Sequence, residues 1–177
     1  MLTKPFPRSY WVEPSRFLAG FYPGDTEAQV CAERMDALLD CGIRRVISLM
    51  EADEVDPRGY LFTDYEHCLT ELAEARGLHV SRARFAIRDM GVPTTSRMAA
   101  ILDAIDSAVA AELPVYVHCW GGFGRTGTVV GCYLARHGVA TGQAALDELA
   151  RLRTGLSGES PQTSDQCDMV RQWTPGR

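Results

Sequence analysis

The sequence has no long hydrophobic run and no excess of basic residues. Its apolar stretches fall far short of the roughly 20 residues that a membrane-spanning helix needs. Its 177 residues include 18 Lys and Arg against 23 Asp and Glu, which gives a formal net charge of −5. A nucleic-acid-binding face has to neutralise phosphates with basic residues. We therefore expect neither a membrane nor a nucleic acid as a partner.

Paired cysteine spacings are also absent. The sequence has no CxxC motif, and its start, MLTKPFP, lacks the apolar core of a secretory signal. Its histidines do not stand at ligand-like spacing from a cysteine pair, so we expect neither a disulfide framework nor a zinc site. We therefore predict a cytoplasmic protein whose six cysteines are reduced thiols. They are Cys31, Cys41, Cys68, Cys119, Cys132 and Cys167.

The pattern of apolar residues predicts alternating strands and helices. Short β-branched runs typical of strands alternate with segments of helical periodicity. The predicted strands lie within residues 44–50, 79–87 and 114–118. The predicted helices lie within residues 26–39, 98–109, 126–137, 143–152 and 164–173. At the first of these helices, Thr26 and Gln29 have the spacing of a capping box.

This alternation predicts the fold class. In a chain of 19.5 kDa we expect a single α/β domain over residues 1–177, with a central, mostly parallel β-sheet flanked by helices on both faces. Residues 1–15 are rich in proline and aromatic residues, so we predict an irregular N-terminal arm there. Residues 174–177 are expected to form a loose tail.

The most informative segment is VYVHCWGGFGRTG, residues 115–127. An apolar strand ends in Cys119, five residues follow, and then Arg125 opens a helix. The three glycines between them permit a tight loop whose N–H groups turn inward, which makes an anion site above a helix N-terminus. The same positive potential favours the thiolate of Cys119. Arg125 can then hold two oxygens of a bound tetrahedral oxyanion.

Three neighbours of this loop have predicted roles. The hydroxyl of Thr126 can donate a hydrogen bond to the thiolate. His118 is expected to support the loop through hydrogen bonds to its backbone. Trp120 can either stack on an aromatic leaving group or pack as a wall against the loop that contains Asp89, and we favour the wall.

The stretch HCWGGFGRTG, residues 118–127, resembles the HCx5R(S/T)G signature of cysteine-based phosphatases. The short chain is similar to the compact bacterial tyrosine and dual-specificity-like branch, which implies a phosphatase-type P-loop between strand and helix. The resemblance implies that Cys119 attacks phosphorus to form a phosphocysteine, without a metal or another cofactor. It also implies that the substrate phosphate is bound by Trp120, Gly121, Gly122, Phe123, Gly124 and Arg125.

Three further segments carry the resemblance. Residues 17–24, FLAGFYPG, look like the entry strand of bacterial members of the family. Residues 86–93, AIRDMGVP, resemble the mobile acid loop of the family, which makes Asp89 the general acid, with Asp53 and Asp56 as fallback candidates. Residues 161–166, PQTSDQ, resemble a late QTxxQ segment. This makes Gln162 the residue that positions the hydrolytic water, with Gln166 as support. The same residues also have the spacing of a capping box at the last helix.

The expected substrate is a phosphorylated protein or peptide, with phosphotyrosine preferred and phosphoserine or phosphothreonine possible. Residues 120–124 contain no lysine, which argues against a polyphosphorylated inositol. An inositol phosphate or phosphoinositide phosphatase remains the alternative, as does a catalytically silent phosphate-binding module. Sulfurtransferase or arsenate chemistry at the same kind of loop is a further alternative. Whether Cys132 protects Cys119 by a disulfide stays open.

Overall fold

The computed structural model describes residues 4–177. In this part of the chain there are five strands: β1 Ser9–Glu13, β2 Phe17–Gly20, β3 Arg45–Ser48, β4 Ser81–Arg84 and β5 Val115–His118. The same residues contain six helices: α1 Ala28–Asp40, α2 Glu66–Ala75, α3 Thr95–Ala110, α4 Arg125–Arg136, α5 Gln143–Leu152 and α6 Ser164–Gln172.

The strands form one mixed sheet in the order β1-β2-β5-β3-β4. The pairs β2–β5, β5–β3 and β3–β4 are parallel, and β1 pairs antiparallel with β2 at one edge. The predicted α/β domain with a mostly parallel sheet is therefore confirmed. The prediction of an irregular arm is wrong at residues 9–13, because this segment pairs with β2 despite the prolines that precede it. Residues 1–3 of the predicted arm lie outside the described residues.

Helices cover both faces of the sheet, as predicted. Adjacent residues of one strand point to opposite faces. On one face, Val46 of β3 packs in a core with Met35 of α1 and Leu69 of α2. On the other face, Ile47 of β3 packs in the larger core beneath the remaining helices, as does Val129 of α4.

The structure agrees with some of the local predictions and differs from others. Helix α1 begins after Glu27 without a side-chain cap, so the capping box at Thr26 is wrong. Helix α2 and strand β1 were not predicted. The capping box of α6 is present, with Thr163 and Gln166 as its two members. Residues 174–177 are exposed, yet the tail predicted to be loose is held where the N–H of Gly176 donates to the carbonyl of Arg136 at 2.9 Å.

The sheet register brings four strand ends to one edge. His118 at the end of β5 pairs with Gly20 of β2 and with Ser48 of β3, and Ser48 pairs with Arg84 of β4. Because these strands are parallel, the loops that follow them leave the sheet side by side. The predicted site residues lie mainly on these loops.

Candidate active site

The segment of residues 119–125, here called the cysteine loop, connects β5 to α4. Cys119 is buried, and the N–H of Gly122 donates to its Sγ at 3.3 Å. Gly122 has a φ of +78°, and a Cβ at this position would lie 2.6 Å from the carbonyl carbon of Gly20. A glycine is thus required where the loop turns back against β2. The sulfur thus accepts from a backbone N–H of the loop that leads directly into α4.

Arg125 is a buried cation held by carboxylates from two other loops. Its Nη1 and Nη2 donate to the two carboxylate oxygens of Glu54 at 2.6 and 2.7 Å, and Nη1 also donates to the carbonyl of Ile87 at 3.0 Å. Burial lowers the pKa of Arg125, but the hydrogen bonds and charge of Glu54 and the charges of Cys119 and Asp89 raise it above its ordinary value. The guanidinium is therefore charged and fixed in orientation.

Glu54 was not among the predicted site residues. It lies on the loop after β3, between the fallback candidates Asp53 and Asp56. Asp53 is exposed, and Asp56 accepts hydrogen bonds from the N–H of Tyr60 and from Arg58 within its own loop. The sequence signal that could have indicated Glu54 was the acidic loop after a predicted parallel strand. This signal identifies the loop but not which of its acidic residues binds Arg125.

Asp89 lies beside Arg125, on the loop after β4. Its Oδ1 is 3.0 Å from Nη2 of Arg125, and its side chain is half exposed. It lines the same cavity as Cys119. The structure thus brings the predicted acid, nucleophile and arginine together.

His118 supports the backbone next to the nucleophile. Its Nδ1 lies 3.2 Å from the carbonyl oxygen of Cys119, and its Nε2 lies 2.6 Å from the hydroxyl of Tyr65. Because a carbonyl only accepts, Nδ1 carries the proton and Nε2 accepts from Tyr65. Burial lowers the pKa of His118 to about 3, so the ring is neutral at physiological pH.

Thr126 does not contact the sulfur in the way we predicted. Its hydroxyl donates to the carbonyl of Gly20 at 3.4 Å. This contact joins the start of α4 to the end of β2. Donation to Cys119 would require the hydroxyl to turn away from β2, and it remains a prediction.

The two glutamines of residues 161–166 differ in environment. Gln166 is buried: its Oε1 accepts from the N–H groups of Gln162 and Thr163, and its Nε2 donates to the carbonyl of Gly91 at 3.0 Å. It therefore ties the start of α6 to the loop of Asp89. The side chain of Gln162 is exposed and lines the cavity. Gln166 therefore caps α6 with Thr163, and both glutamines also line the cavity.

The side chains meet around a cavity of about 230 Å³. Trp120 is 39% exposed, and its ring centroid lies 6.0 Å from that of Phe62, on the loop before α2. The recorded ring contact of Trp120 is therefore with this loop, whereas we expected the loop of Asp89. The cavity is lined by Arg8, Asp89, Met90, Cys119, Trp120, Gly121, Phe123, Gly124, Arg125, Gln162 and Gln166.

Two arginines that sequence reasoning missed hold the cysteine loop through its carbonyl groups. The buried Arg153, just after α5, donates through Nη1 to the carbonyl of Gly122 at 2.9 Å, and through Nη2 to the carbonyl of Ser157 at 3.0 Å. Arg8, just before β1, donates to the carbonyl of Gly121 at 3.1 Å. Both contacts join residues that are distant in the sequence, and no local pattern marks them.

All six cysteines are free thiols. Burial raises the pKa of the Cys132 thiol well above its ordinary value. Within residues 4–177, no group of three or more His, Cys, Asp or Glu side chains is arranged to hold a metal ion. Over the same residues, no helix combines the length and apolar character needed to cross a bilayer.

Solved structures share this fold. Tk-PTP in its active form aligns with a TM-score of 0.68 and 22% identity, over 95% of this chain and 97% of that chain. TpbA of P. aeruginosa in complex with pTyr aligns with a TM-score of 0.70 and 19% identity, over 97% and 88%. PTPMT1 in complex with PI(5)P aligns with a TM-score of 0.68 and 18% identity, over 94% of each chain. At these identities the likeness concerns the fold alone.

Sequence comparison adds a short match and a long one. A stretch of 53 residues is 43% identical to protein MJ0215 of Methanocaldococcus jannaschii and covers 30% of this chain. This match and that to protein MJECL20 of the same organism span about a third of those relatives, 33% and 36%. A family model described as Swiss Army Knife protein, DSP-PTPase phosphatase domain (PTP-SAK), matches residues 7–176. The chain therefore belongs to this family and is a cysteine-based, dual-specificity phosphatase-like protein.

Proposed function

We propose that this phosphatase hydrolyses phosphate monoesters of proteins, with phosphotyrosine preferred, through a phosphocysteine on Cys119. One observation carries the proposal: Cys119, Arg125 and Asp89 line one cavity, and the N–H of Gly122 donates to the sulfur. These are a nucleophile, a cation for the phosphoryl oxygens and a proton donor in one place. A catalytically silent phosphate-binding module would not need all three.

The reaction has two balanced steps. In the first, the thiolate of Cys119 attacks phosphorus, the ester P–O bond breaks, and protonated Asp89 gives its proton to the leaving oxygen. In the second, the carboxylate of Asp89 takes a proton from a water molecule positioned by Gln162. The water oxygen attacks phosphorus, and the S–P bond breaks to return the thiolate. A hydrogen bond from Thr126 would stabilise the departing sulfur.

Arg125 stabilises the transferring phosphoryl group through the donors that Glu54 leaves. Glu54 takes hydrogen bonds from Nη1 and Nη2, so the edge formed by Nε and the other hydrogen of Nη2 serves two phosphoryl oxygens. Asp89 is the ion-pair partner of that same Nη2. An arriving phosphate therefore replaces Asp89 at Arg125 and leaves the carboxyl group beside the ester oxygen.

The apolar lining of the cavity favours the phosphate ester of an aromatic alcohol, such as phosphotyrosine. Trp120, Phe123 and Met90 supply apolar surface around the nucleophile, and an aromatic ring gains free energy by stacking there. TpbA, which shares the fold, is described in complex with pTyr. PTPMT1 is described with PI(5)P, so lipid and inositol phosphates belong in the test. Because Cys119 must stay reduced, we place the reaction in the cytoplasm.

The test is phosphate release from a phosphotyrosine peptide, a phosphothreonine peptide and an inositol phosphate, by the wild type and Cys119→Ser. We expect release to be fastest from the phosphotyrosine peptide and absent in the variant. Cys167→Ser serves as the matched control, because it changes a partly buried thiol on α6. If phosphate is released fastest from the inositol phosphate, the protein is an inositol phosphate phosphatase and the proposed protein substrate is wrong. No release by reduced, folded wild type would favour the binding module.

A further inference from the structure

The cavity holds a second guanidinium that the proposed chemistry does not use. Arg8 is exposed, and its side chain lines the same cavity as Cys119. It is fixed there by its hydrogen bond to the carbonyl of Gly121. The guanidinium carbon also lies 4.3 Å from the ring centroid of Phe21. These contacts hold a cation at the cavity while its charge remains accessible.

Among the described residues, Arg125 is paired with carboxylates, whereas Arg8 is not. In the described part of the chain, these two residues are the cations that line the cavity. Arg125 is neutralised by Glu54 and Asp89, at 2.6 and 3.0 Å. The hydrogen-bond partner of Arg8 is a carbonyl oxygen, which carries no formal charge. The unbalanced positive charge of the cavity is therefore at Arg8.

The contacts of Arg8 leave hydrogen-bond donors free. A guanidinium has five N–H donors, and one of its hydrogen bonds goes to Gly121. The contact with Phe21 is a cation–π contact through the guanidinium carbon and not a hydrogen bond to an acceptor. A carboxylate matches two such donors at once. The site thus has the chemistry to hold one further anionic group beside the phosphate.

We propose that Arg8 determines substrate specificity by binding the carboxylate of an acidic residue next to the phosphorylated residue. This inference rests on the proposed function, because it needs a peptide substrate. Residues 120–124 contain no lysine or arginine, so the cavity has one spare cation instead of the several that a polyphosphate would require. A single carboxylate is the group that one spare cation balances.

The test compares two phosphotyrosine peptides that differ in the flanking residues, glutamate in one and glutamine in the other. We expect the wild type to have a higher kcat/KM for the acidic peptide. Arg8→Gln should lower that value about 5- to 10-fold and erase the difference between the peptides. Added salt should reduce the preference of the wild type, because the pair is near solvent.

The matched control is Arg34→Gln. Arg34 also lies over the ring of Phe21, at 5.3 Å, but it is paired with Asp25 at 3.0 Å and donates to the carbonyl of Gly24. This variant removes a cation from the same aromatic ring, and we expect it to keep the preference for the acidic peptide. Loss of the preference in both variants would mean that Phe21 or the general charge is responsible, and would overturn the inference.

The remaining outcomes separate this inference from the proposed function. Equal kcat/KM of the wild type for both peptides overturns the role of Arg8 and leaves the protein phosphatase intact. If Arg8→Gln lowers kcat/KM equally for both peptides and for p-nitrophenyl phosphate, Arg8 acts by holding Gly121. This result also overturns the inference. Turnover of p-nitrophenyl phosphate without turnover of either peptide overturns the proposed function itself. If the wild type hydrolyses an inositol polyphosphate faster than the peptides, and Arg8→Gln hydrolyses it more slowly, then Arg8 binds a second phosphate and not a carboxylate. That result also overturns the inference.

Discussion

The most constrained residue of the site is Arg125. Its guanidinium is buried, so its desolvation has to be offset by carboxylates and hydrogen bonds. Glu54 supplies a two-point contact and Ile87 a carbonyl, which together fix the plane of the group. A phosphate then meets donors that are already oriented, and little reorganisation is needed in the transition state.

This view predicts a large effect of Glu54→Gln. The variant keeps the size of the side chain but removes the charge and one acceptor, so Arg125 loses its fixed orientation. We expect kcat/KM for an aryl phosphate to fall about 10- to 100-fold, because small misplacements of catalytic groups cost this much. Asp53→Asn, on the same loop but exposed, is the control and should behave like the wild type. A Glu54→Gln variant with wild-type kinetics would contradict this role.

His118 makes a prediction about stability and pH. Its pKa is about 3 in the folded chain and 6.5 in the unfolded chain, so the unfolded chain binds the proton first as the pH falls. The stability supplied by the neutral ring is full above pH 6.5 and is lost as the pH falls towards 3. From pH 7 to pH 5 this group alone lowers the free energy of unfolding by about 2 kcal/mol.

Urea unfolding at the two pH values measures this contribution. In His118→Asn, the fall in stability between the two pH values should be about 2 kcal/mol smaller than in the wild type. His67→Asn is the control, since the side chain of His67 is 85% exposed, and it should keep the wild-type pH dependence. The same pH dependence in His118→Asn and the wild type would show that His118 is not buried in its neutral form.

At the scale of elements, the site is the product of parallel pairing. Loops from β3, β4 and β5 supply Glu54, Asp89 and Cys119, and the end of β2 packs against the cysteine loop at Gly20. The central position of β5 places its loop between the others. Helix α4 begins directly at this loop, and a helix N-terminus is a favourable place for an anion.

The close approach of the cysteine loop to β2 predicts the effect of Gly122→Ala. A Cβ would lie 2.6 Å from backbone atoms of Gly20 and Phe21, in addition to the strain of φ +78°. We expect folded protein with kcat lowered at least about 10-fold, because the loop has to move away from its anion-binding shape. Gly138→Ala is the matched control: its φ is +67°, and no heavy atom lies within 4 Å of the new Cβ.

The control separates backbone strain from the clash. Gly138→Ala should cost about 1–2 kcal/mol of stability, with unchanged kcat. If Gly122→Ala shows the same small stability loss and normal kcat, the contact between the cysteine loop and β2 does not shape the site.

At the scale of the whole molecule, the sequence predicted the parts that local pattern determines. Apolar runs and helical periodicity located β3, β5 and most helices, and the family signature located the cysteine loop. Strand β1, SYWVE, was missed although Tyr, Trp and Val favour strands, because the prolines and aromatic residues of residues 1–15 predicted an irregular arm. Helix α2 was not predicted although it is as long as α5, and its buried positions are Leu69 and Ala73 alone.

The missed site residues have a common cause. Glu54, Arg8 and Arg153 contact the cysteine loop across 71, 113 and 31 residues of chain, respectively. Such contacts depend on sheet order and register, which no local pattern determines. By contrast, the place of Asp89 at the cavity was predicted, because residues 86–93 have a recognisable sequence of their own.

The most direct test of the account is to trap the phosphocysteine. Asp89→Ala should still be phosphorylated by p-nitrophenyl phosphate, whose leaving group needs little protonation, but it should hydrolyse the intermediate slowly because the base is missing. After an acid quench, mass spectrometry should find one added phosphoryl group on the peptide that contains Cys119, and none in the double variant with Cys119→Ser. Turnover without any phosphorylated peptide, or a phosphoryl group on another residue, would contradict the assignment of Cys119 as the nucleophile.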